Sequence, residues 1–339
     1  MNINVPLDLK VSLDLRNLKK MNPLHIQTPL LQHRGLSASL NKQVWLKMES
    51  SQPSGSFKLR GIGLMCQRAV ANGATHLVCP SGGNAGFAAA VAGAALGLAT
   101  TILVPTTTHE TVRQAIRAIG ATVIVQGDVW DESNQAALLL CDQPGTVYIP
   151  PFDHPDIWDG NATLIDEVAT LDFDVVICAV GGGGLLSGIV QGLQRNNLAH
   201  IPVIAVETDG AASLHAAIQA GELVTLPAIT SIASTLGARR VAQQALACTR
   251  QHVVISVVVS DAQAVDACLR FADEMRTLVE PACGAALALA YQNLPQLGKF
   301  SRPLIVICGG IGVDLVKLEA WKSQFNQINL AAAQKTVSA

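Results

Sequence analysis

A chain of 339 residues is long enough for one large unit or two intimate domains around a substantial core. Half of it is hydrophobic and 14% is charged, against roughly 25% in an ordinary globular domain, so some apolar surface is expected to be buried between subunits. A net charge of −2 with no lysine or arginine cluster excludes a nucleic-acid-binding field and leaves small molecules and copies of the chain as partners.

Residues 1–20 carry charges throughout and lack the apolar stretch of a signal peptide, so they read as an extension, with Met21 an alternative start. Strand patterns then recur at VWLKM (44–48), HLVCP (76–80), TTILVP (100–105), TVIVQ (122–126) and TVYIP (146–150). They continue at VVICAV (175–180), PVIAVE (202–207), HVVISVVV (252–259) and PLIVIC (303–308). Helical stretches fall between them at 84–96, 109–119, 131–141, 156–170, 185–195, 261–276 and 284–293. This alternation predicts an α/β fold with mostly parallel sheet. Residues 69–109 contain no charged side chain, and Gly93 and Gly97 imitate a small-xxx-small membrane pair. The run is Ala- and Gly-rich, and Gly97 divides it into a helix and a β-branched strand, so a buried α/β layer is expected. YIPPFDHPD (148–156) is the candidate crossing between two lobes. The eight cysteines form no CxxC pair and sit mostly in apolar runs, which fits a reduced, cytoplasmic protein.

Four motifs fall where loops meet helix starts, the places where such folds bind ligands. In SSQPSGSFKLRG (50–61), Lys58 lies in the first turns of a helix beside apolar Phe57. Burial there lowers an amine's pKa, as Schiff-base chemistry requires. SGGNAG (81–86) follows a strand and opens an Ala-rich helix, so its amides suit a carboxylate, although a plain turn capped by Asn84 reads as well. Four consecutive glycines in GGGGLLSG (181–188) suit a backbone wrapped around a phosphate. The same stretch with Glu207 imitates a dinucleotide site, but Ser187 stands where the last glycine of that fingerprint belongs. CGGIG (308–312) ends a buried strand on a thiol without a nucleophile's partners. A lysine, two anion loops and a weakly hydrogen-bonding thiol together meet the demands of pyridoxal 5'-phosphate (PLP).

With QPSGSFKLRGIG (52–63), VYIPPFDHPDIWDG (147–160), VGGGGLLSGIVQGLQ (180–194), PVIAVET (202–208), VEPACGAALA (279–288) and VICGG (306–310), the chain resembles the fold-type II PLP enzymes. More narrowly it is similar to L-serine/L-threonine dehydratases of the animal-liver type, from about Pro23 to Lys322. The resemblance implies two lobes, each with a mostly parallel twisted sheet flanked by helices, as in the tryptophan synthase β-subunit. The larger, PLP-binding domain takes 21–50 and 150–325, the smaller 51–149, and a tail 326–339. It also implies a homodimer.

Carried over by motif, Lys58 holds PLP as a Schiff base and acts as the catalytic base, with Phe57 against the ring. Asn84 meets the ring hydroxyl, Cys308 the ring nitrogen, and Gly181, Gly182, Gly183, Gly184 and Leu185 the phosphate. Ser81, Gly82 and Ala85 hold the substrate carboxylate. A potassium site is implied at Gly181, Glu207, Ala211, Leu236 and Ala238. Thr235 stands where a small apolar ring contact is expected, and Gly82 where the serine racemases carry serine. The expected reaction is α,β-elimination from L-serine and L-threonine. Alternatives are β-replacement or racemisation on the same fold, a nicotinamide dehydrogenase, and a silent PLP-binding scaffold.

Overall fold

The structure, a computed structural model, describes residues 22–337, so the extension at 1–20 and the start at Met21 lie outside the described residues. In chain order, β1 (Leu30–Gln32), α1 (Arg34–Leu40) and β2 (Trp45–Lys47) lead into α2 (Lys58–Ala71). There follow β3 (His76–Cys79), α3 (Asn84–Leu96), β4 (Ala99–Val104), α4 (Glu110–Ala118), β5 (Thr122–Val125), α5 (Trp130–Leu140) and β6 (Thr146–Tyr148). Next come α6 (Pro155–Asp166), β7 (Val175–Ala179), α7 (Gly184–Arg195), β8 (Val203–Thr208), α8 (Ser213–Ala220) and α9 (Gln243–Gln251). The last elements are β9 (Val254–Val259), α10 (Asp261–Met275), α11 (Pro281–Tyr291), β10 (Pro303–Val306) and α12 (Leu315–Val337).

Two sheets result. One has six strands in the order β1-β2-β10-β7-β8-β9, and the other four in the order β5-β4-β3-β6. Every pairing is parallel except β1 with β2. Parallel strands are sandwiched by helices on both faces, which explains the continuous apolar runs of β7 and β8. The larger core surrounds the six-stranded sheet and the smaller one the four-stranded sheet.

The charge-free run folds as a tight soluble layer. A Cβ on Gly93 would lie 1.8 Å from the Thr100 hydroxyl, so the glycine lets α3 settle onto β4. Gly97 ends α3 in the left-handed region at φ 67°, where glycine carries no steric penalty. No helix among the described residues is long and apolar enough to cross a membrane.

Several boundaries differ from the sequence expectation. β1, α1, α8 and α9 are added, each short and weakly patterned. Helix α11 begins at Pro281 rather than 284, with proline at its first position and all eleven residues buried. Helix α6 ends at Asp166 instead of 170, where Glu167 turns its carboxylate onto Lys47 and Arg60. Beyond 325, where a tail is expected, α12 continues as helix through Val337.

A buried ionic cluster braces the start of α2. Arg60 grips Glu49 through Nε at 2.6 Å and Nη2 at 2.8 Å, and Glu167 through Nη1 at 2.6 Å and Nη2 at 2.9 Å. Lys47 adds a 2.5 Å bond to Glu167, and the Thr28 hydroxyl donates to Glu49 at 2.7 Å. Two cations and two anions thus neutralise one another across β2, α2, α6 and the segment before β1.

Candidate active site

The fold gathers the four motifs through direct contacts. The segment carrying Lys58 runs beside the loop after β10: Phe57 N–H donates to the Cys308 carbonyl at 3.1 Å and Gly310 N–H to Gly55 O at 2.9 Å. A backbone bridge joins Ser56 and Gly309 between them. The loop after β3 meets the same strand end, because Ile311 N–H donates to Asn84 Oδ1 at 3.0 Å. On the other side, Lys58 Nζ donates to the Pro151 carbonyl at 2.6 Å, and the adjacent Phe152 covers the glycine loop after β7.

Lys58 is the first residue of α2, with its Nζ 5.2 Å from the centroid of the Phe57 ring. Burial lowers its pKa from 10.5 to about 8. A lysine in this state is neutral in roughly a tenth to a fifth of molecules near physiological pH, on the order of a hundred times the fraction in a solvated lysine.

The glycine run forms a cradle that side chains would fill. A Cβ on Gly182 would meet the Phe152 ring at 2.3 Å, and one on Gly184 the Phe152 carbonyl at 2.6 Å. Gly183 sits at φ 90°, with Ala245 Cβ 2.3 Å from where its own Cβ would stand. The amides of Gly182 and Gly183 donate to no other group among the described residues. Those of Gly184 and Leu185 occupy the first turn of α7, where no partner exists within the helix. This donor set fits a phosphate.

The loop after β3 is similarly bare. Gly86 is required because its Cβ would strike the Ser81 carbonyl at 1.9 Å. A Cβ on Gly82 would lie 2.3 Å from the Thr108 hydroxyl, so this neighbour accounts for glycine at that position. Ser81 Oγ accepts from Gly83 N–H at 3.3 Å, and Ala85 lies in the first turn of α3 with its amide end facing the site.

Cys308 is buried, and its thiol is pushed well up by hydrogen bonding to Cys283, then by burial and by nearby Glu280. It is therefore a neutral thiol, which fits a weak partner for a ring nitrogen.

Sequence reasoning passed over Glu280. It is 3% exposed and accepts from Asn84 Nδ2 at 2.9 Å, Thr235 Oγ1 at 2.9 Å and Gly312 N–H at 2.6 Å. Burial raises its pKa against those three hydrogen bonds. Glu280 thereby ties α3 to the loop after β10 and sets the orientation of the Asn84 amide. Thr235 gains its place in the same way, with its hydroxyl on Glu280 and its methyl 3.8 Å from the Cβ position of Gly83. The only sequence signal was the acid-proline pair that opens α11.

Glu207 points inward, its two oxygens accepting from Leu214 and His215 N–H at 2.8 Å each, which removes the dinucleotide reading. Val180 N–H bonds to Val206 O, which sets Gly181 beside Glu207 on neighbouring strand ends. Leu236 Cα lies 3.0 Å from the Cβ position of Gly181, and Ala238 N–H bonds to Leu236 O. Ala211, at the start of the turn into α8, is fully buried. Burial raises the Glu207 pKa to about 7, and among the described residues it has no cationic partner.

The sequence model of the family described as pyridoxal-phosphate dependent enzyme matches residues 21–309. Human L-serine dehydratase/L-threonine deaminase is 46% identical over 319 residues, covering 91% of this chain and 97% of that protein. Among solved structures, a fungal L-serine ammonia-lyase from Rhizomucor miehei aligns with TM-score 0.85 at 38% identity, covering 89% of this chain and 99% of the other. Maize serine racemase aligns with TM-score 0.81 at 24% identity, covering 94% and 97%, which is a likeness of fold.

Proposed function

This chain belongs to the family of pyridoxal-phosphate dependent enzymes, and from that membership we propose that it converts L-serine to pyruvate and ammonia and L-threonine to 2-oxobutyrate and ammonia. The observation that carries this reading is a lysine amine whose pKa burial lowers to about 8, set among loops bearing free amides for a phosphate and a carboxylate. The names and identities of the relatives support the substrate class.

In this reading Lys58 holds PLP, the glycine run from Gly181 to Leu185 binds its phosphate, and Phe57, Asn84 and Cys308 contact its ring. Bound PLP supplies the electron sink that makes the α-proton of an amino acid removable. The amides beyond Ser81 hold the substrate carboxylate, which turns Cα toward Lys58. Lys58 Nζ, displaced by the substrate amine, takes the α-proton. Cys308 stays a neutral thiol and leaves the ring nitrogen without a strong acid, which suits prompt loss of the β-hydroxyl as water. The released enamine adds water and gives up ammonia, so one water leaves and one enters for each keto acid formed. Residues 81, 82 and 85 carry the substrate, and their loop is held by Glu280 through Asn84.

Incubation of the purified protein with L-serine and L-threonine tests the reading. Equal yields of keto acid and ammonia are expected. D-serine accumulating as fast as pyruvate, or no keto acid at all, would contradict it.

The lowered amine pKa has a direct consequence. Only the neutral amine attacks an aldehyde, and its population grows about tenfold per pH unit up to the pKa. Capture of PLP by cofactor-free protein should therefore quicken with pH and level off near pH 8. Capture that keeps accelerating to pH 10 would show that burial does not act on Lys58.

We extend the proposal to a potassium ion held by Glu207 with the carbonyls of Gly181, Ala211, Leu236 and Ala238. Exchanging K+ for tetramethylammonium should cost about 2–3 kcal/mol of stability when K+ stands a hundredfold above its Kd. Glu207→Gln should abolish that dependence, and a melting temperature indifferent to the cation would remove the site. The scarcity of charge and exposed Leu139 and Val316 support a homodimer, and eight free cysteines support a reducing, cytoplasmic setting.

A further inference from the structure

The loops after β3 and β4 leave neighbouring parallel strands, with Cys79 paired to Ile102, and so run side by side at the site. The β4 loop carries three successive threonines with different surroundings. Thr106 and Thr107 are exposed, whereas Thr108 is half-buried. The far side of this loop is pinned: Arg113 donates to the Thr106 carbonyl at 2.6 Å, Thr106 N–H to Gly127 O at 2.9 Å, and Thr106 Oγ1 to Asp128 at 2.9 Å. Thr108 is left facing Gly82. Its Oγ1, Cγ2 and Cβ lie 2.3, 2.7 and 3.1 Å from the position a Gly82 Cβ would take. With a Cα–Cβ bond of about 1.5 Å, the hydroxyl therefore stands within about 4 Å of the Gly82 Cα. Among the described residues that hydroxyl has no hydrogen-bond partner, while the Thr108 amide is engaged with Pro105 O at 3.0 Å.

We propose that Thr108 is a further substrate-binding residue, whose hydroxyl donates to the substrate carboxylate and whose bulk on Gly82 holds the loop in place. The inference rests on the carboxylate loop assigned under the proposed function. A carboxylate offers about four acceptor sites, more than the first-turn amides of one helix can fill, and a neighbouring hydroxyl supplies another donor. The side chain also explains the glycine, since residue 82 cannot carry a side chain while Thr108 occupies that volume.

Two sets of variants of the PLP-loaded enzyme test this. Thr108→Val keeps the shape and removes the hydroxyl, and it should raise KM for L-serine roughly tenfold with kcat changed less than about threefold. Thr108→Ser keeps the hydroxyl and should bring KM back to within about threefold of wild type. An unchanged KM in the valine variant would overturn the hydroxyl's role. The steric part is read without turnover, from melting temperatures of Gly82→Ala, Thr108→Gly and the pair. Gly82→Ala alone should melt lower, and Thr108→Gly should rescue it. Strictly additive effects would overturn the contact. If wild type yields no keto acid from serine, the proposed function fails, and the melting series still decides whether Thr108 sits on Gly82.

Discussion

Lys58→Ala is expected to lower kcat/KM for L-serine by at least about 10³-fold and to leave the protein folded. Two functions are lost at once, the covalent hold on PLP and the base that takes the α-proton. The fold loses little, because the amine makes one hydrogen bond, to Pro151 O at 2.6 Å, and is otherwise half-buried at a cost that lowers its pKa to about 8. The melting temperature should therefore hold or rise slightly. PLP should still associate through the glycine cradle, in rapid exchange and without the absorption at the visible edge that marks its attachment to lysine. Retention of more than a tenth of wild-type turnover would remove Lys58 from the chemistry. A large fall in melting temperature would show that the loss of activity reports unfolding.

Arg60→Met is the substitution expected to cost most stability, about 3–5 kcal/mol. It leaves Glu49, fully buried, with only hydroxyl and amide donors, and leaves Glu167 paired with Lys47 alone. Burial by itself would raise the Glu167 pKa, but hydrogen bonds and charge from Arg60 and Lys47 outweigh it and hold the pKa below the usual carboxylate value. A carboxylate depressed in the folded state stabilises above its unfolded pKa, and the gain vanishes as pH falls through the folded pKa. The gap between wild type and Arg60→Met should accordingly be widest near pH 7 and narrow toward pH 4. Arg60→Lys keeps the charge but not the two-sided fork, so it should fall between them. Denaturant unfolding at several pH values checks both points, and a gap that widens on acidification would refute the ionic account. Because Arg60 lies two residues beyond Lys58 on α2, surviving folded protein should also show a reduced kcat.

What could be read from the sequence follows from how local each signal is. Lys58, Asn84, the glycine run and Cys308 sit in contiguous motifs at strand ends, and the fold brings those segments into contact. The alternation of strand and helix was equally local, and α3 begins and ends where the pattern placed it. Glu280, Thr108 and Arg60 were invisible as site residues because their roles exist only through partners 11 to 196 positions away. A lone acid before a proline reads as a helix start, three threonines as a solvated loop, and an arginine on a helix as surface. Short elements such as β1 failed for a related reason, since three residues carry no periodicity and form only because β2 lies alongside. Thr235 looked like a departure from an apolar pattern until Glu280 gave its hydroxyl a partner.

Borohydride reduction of the PLP-loaded wild-type protein, followed by peptide mass spectrometry, tests the central claim most directly. The account predicts one pyridoxyl group per chain, on the peptide containing Lys58. A pyridoxyl group on Lys47, whose amine is committed to Glu167 and Thr28, or on any other lysine, would contradict it.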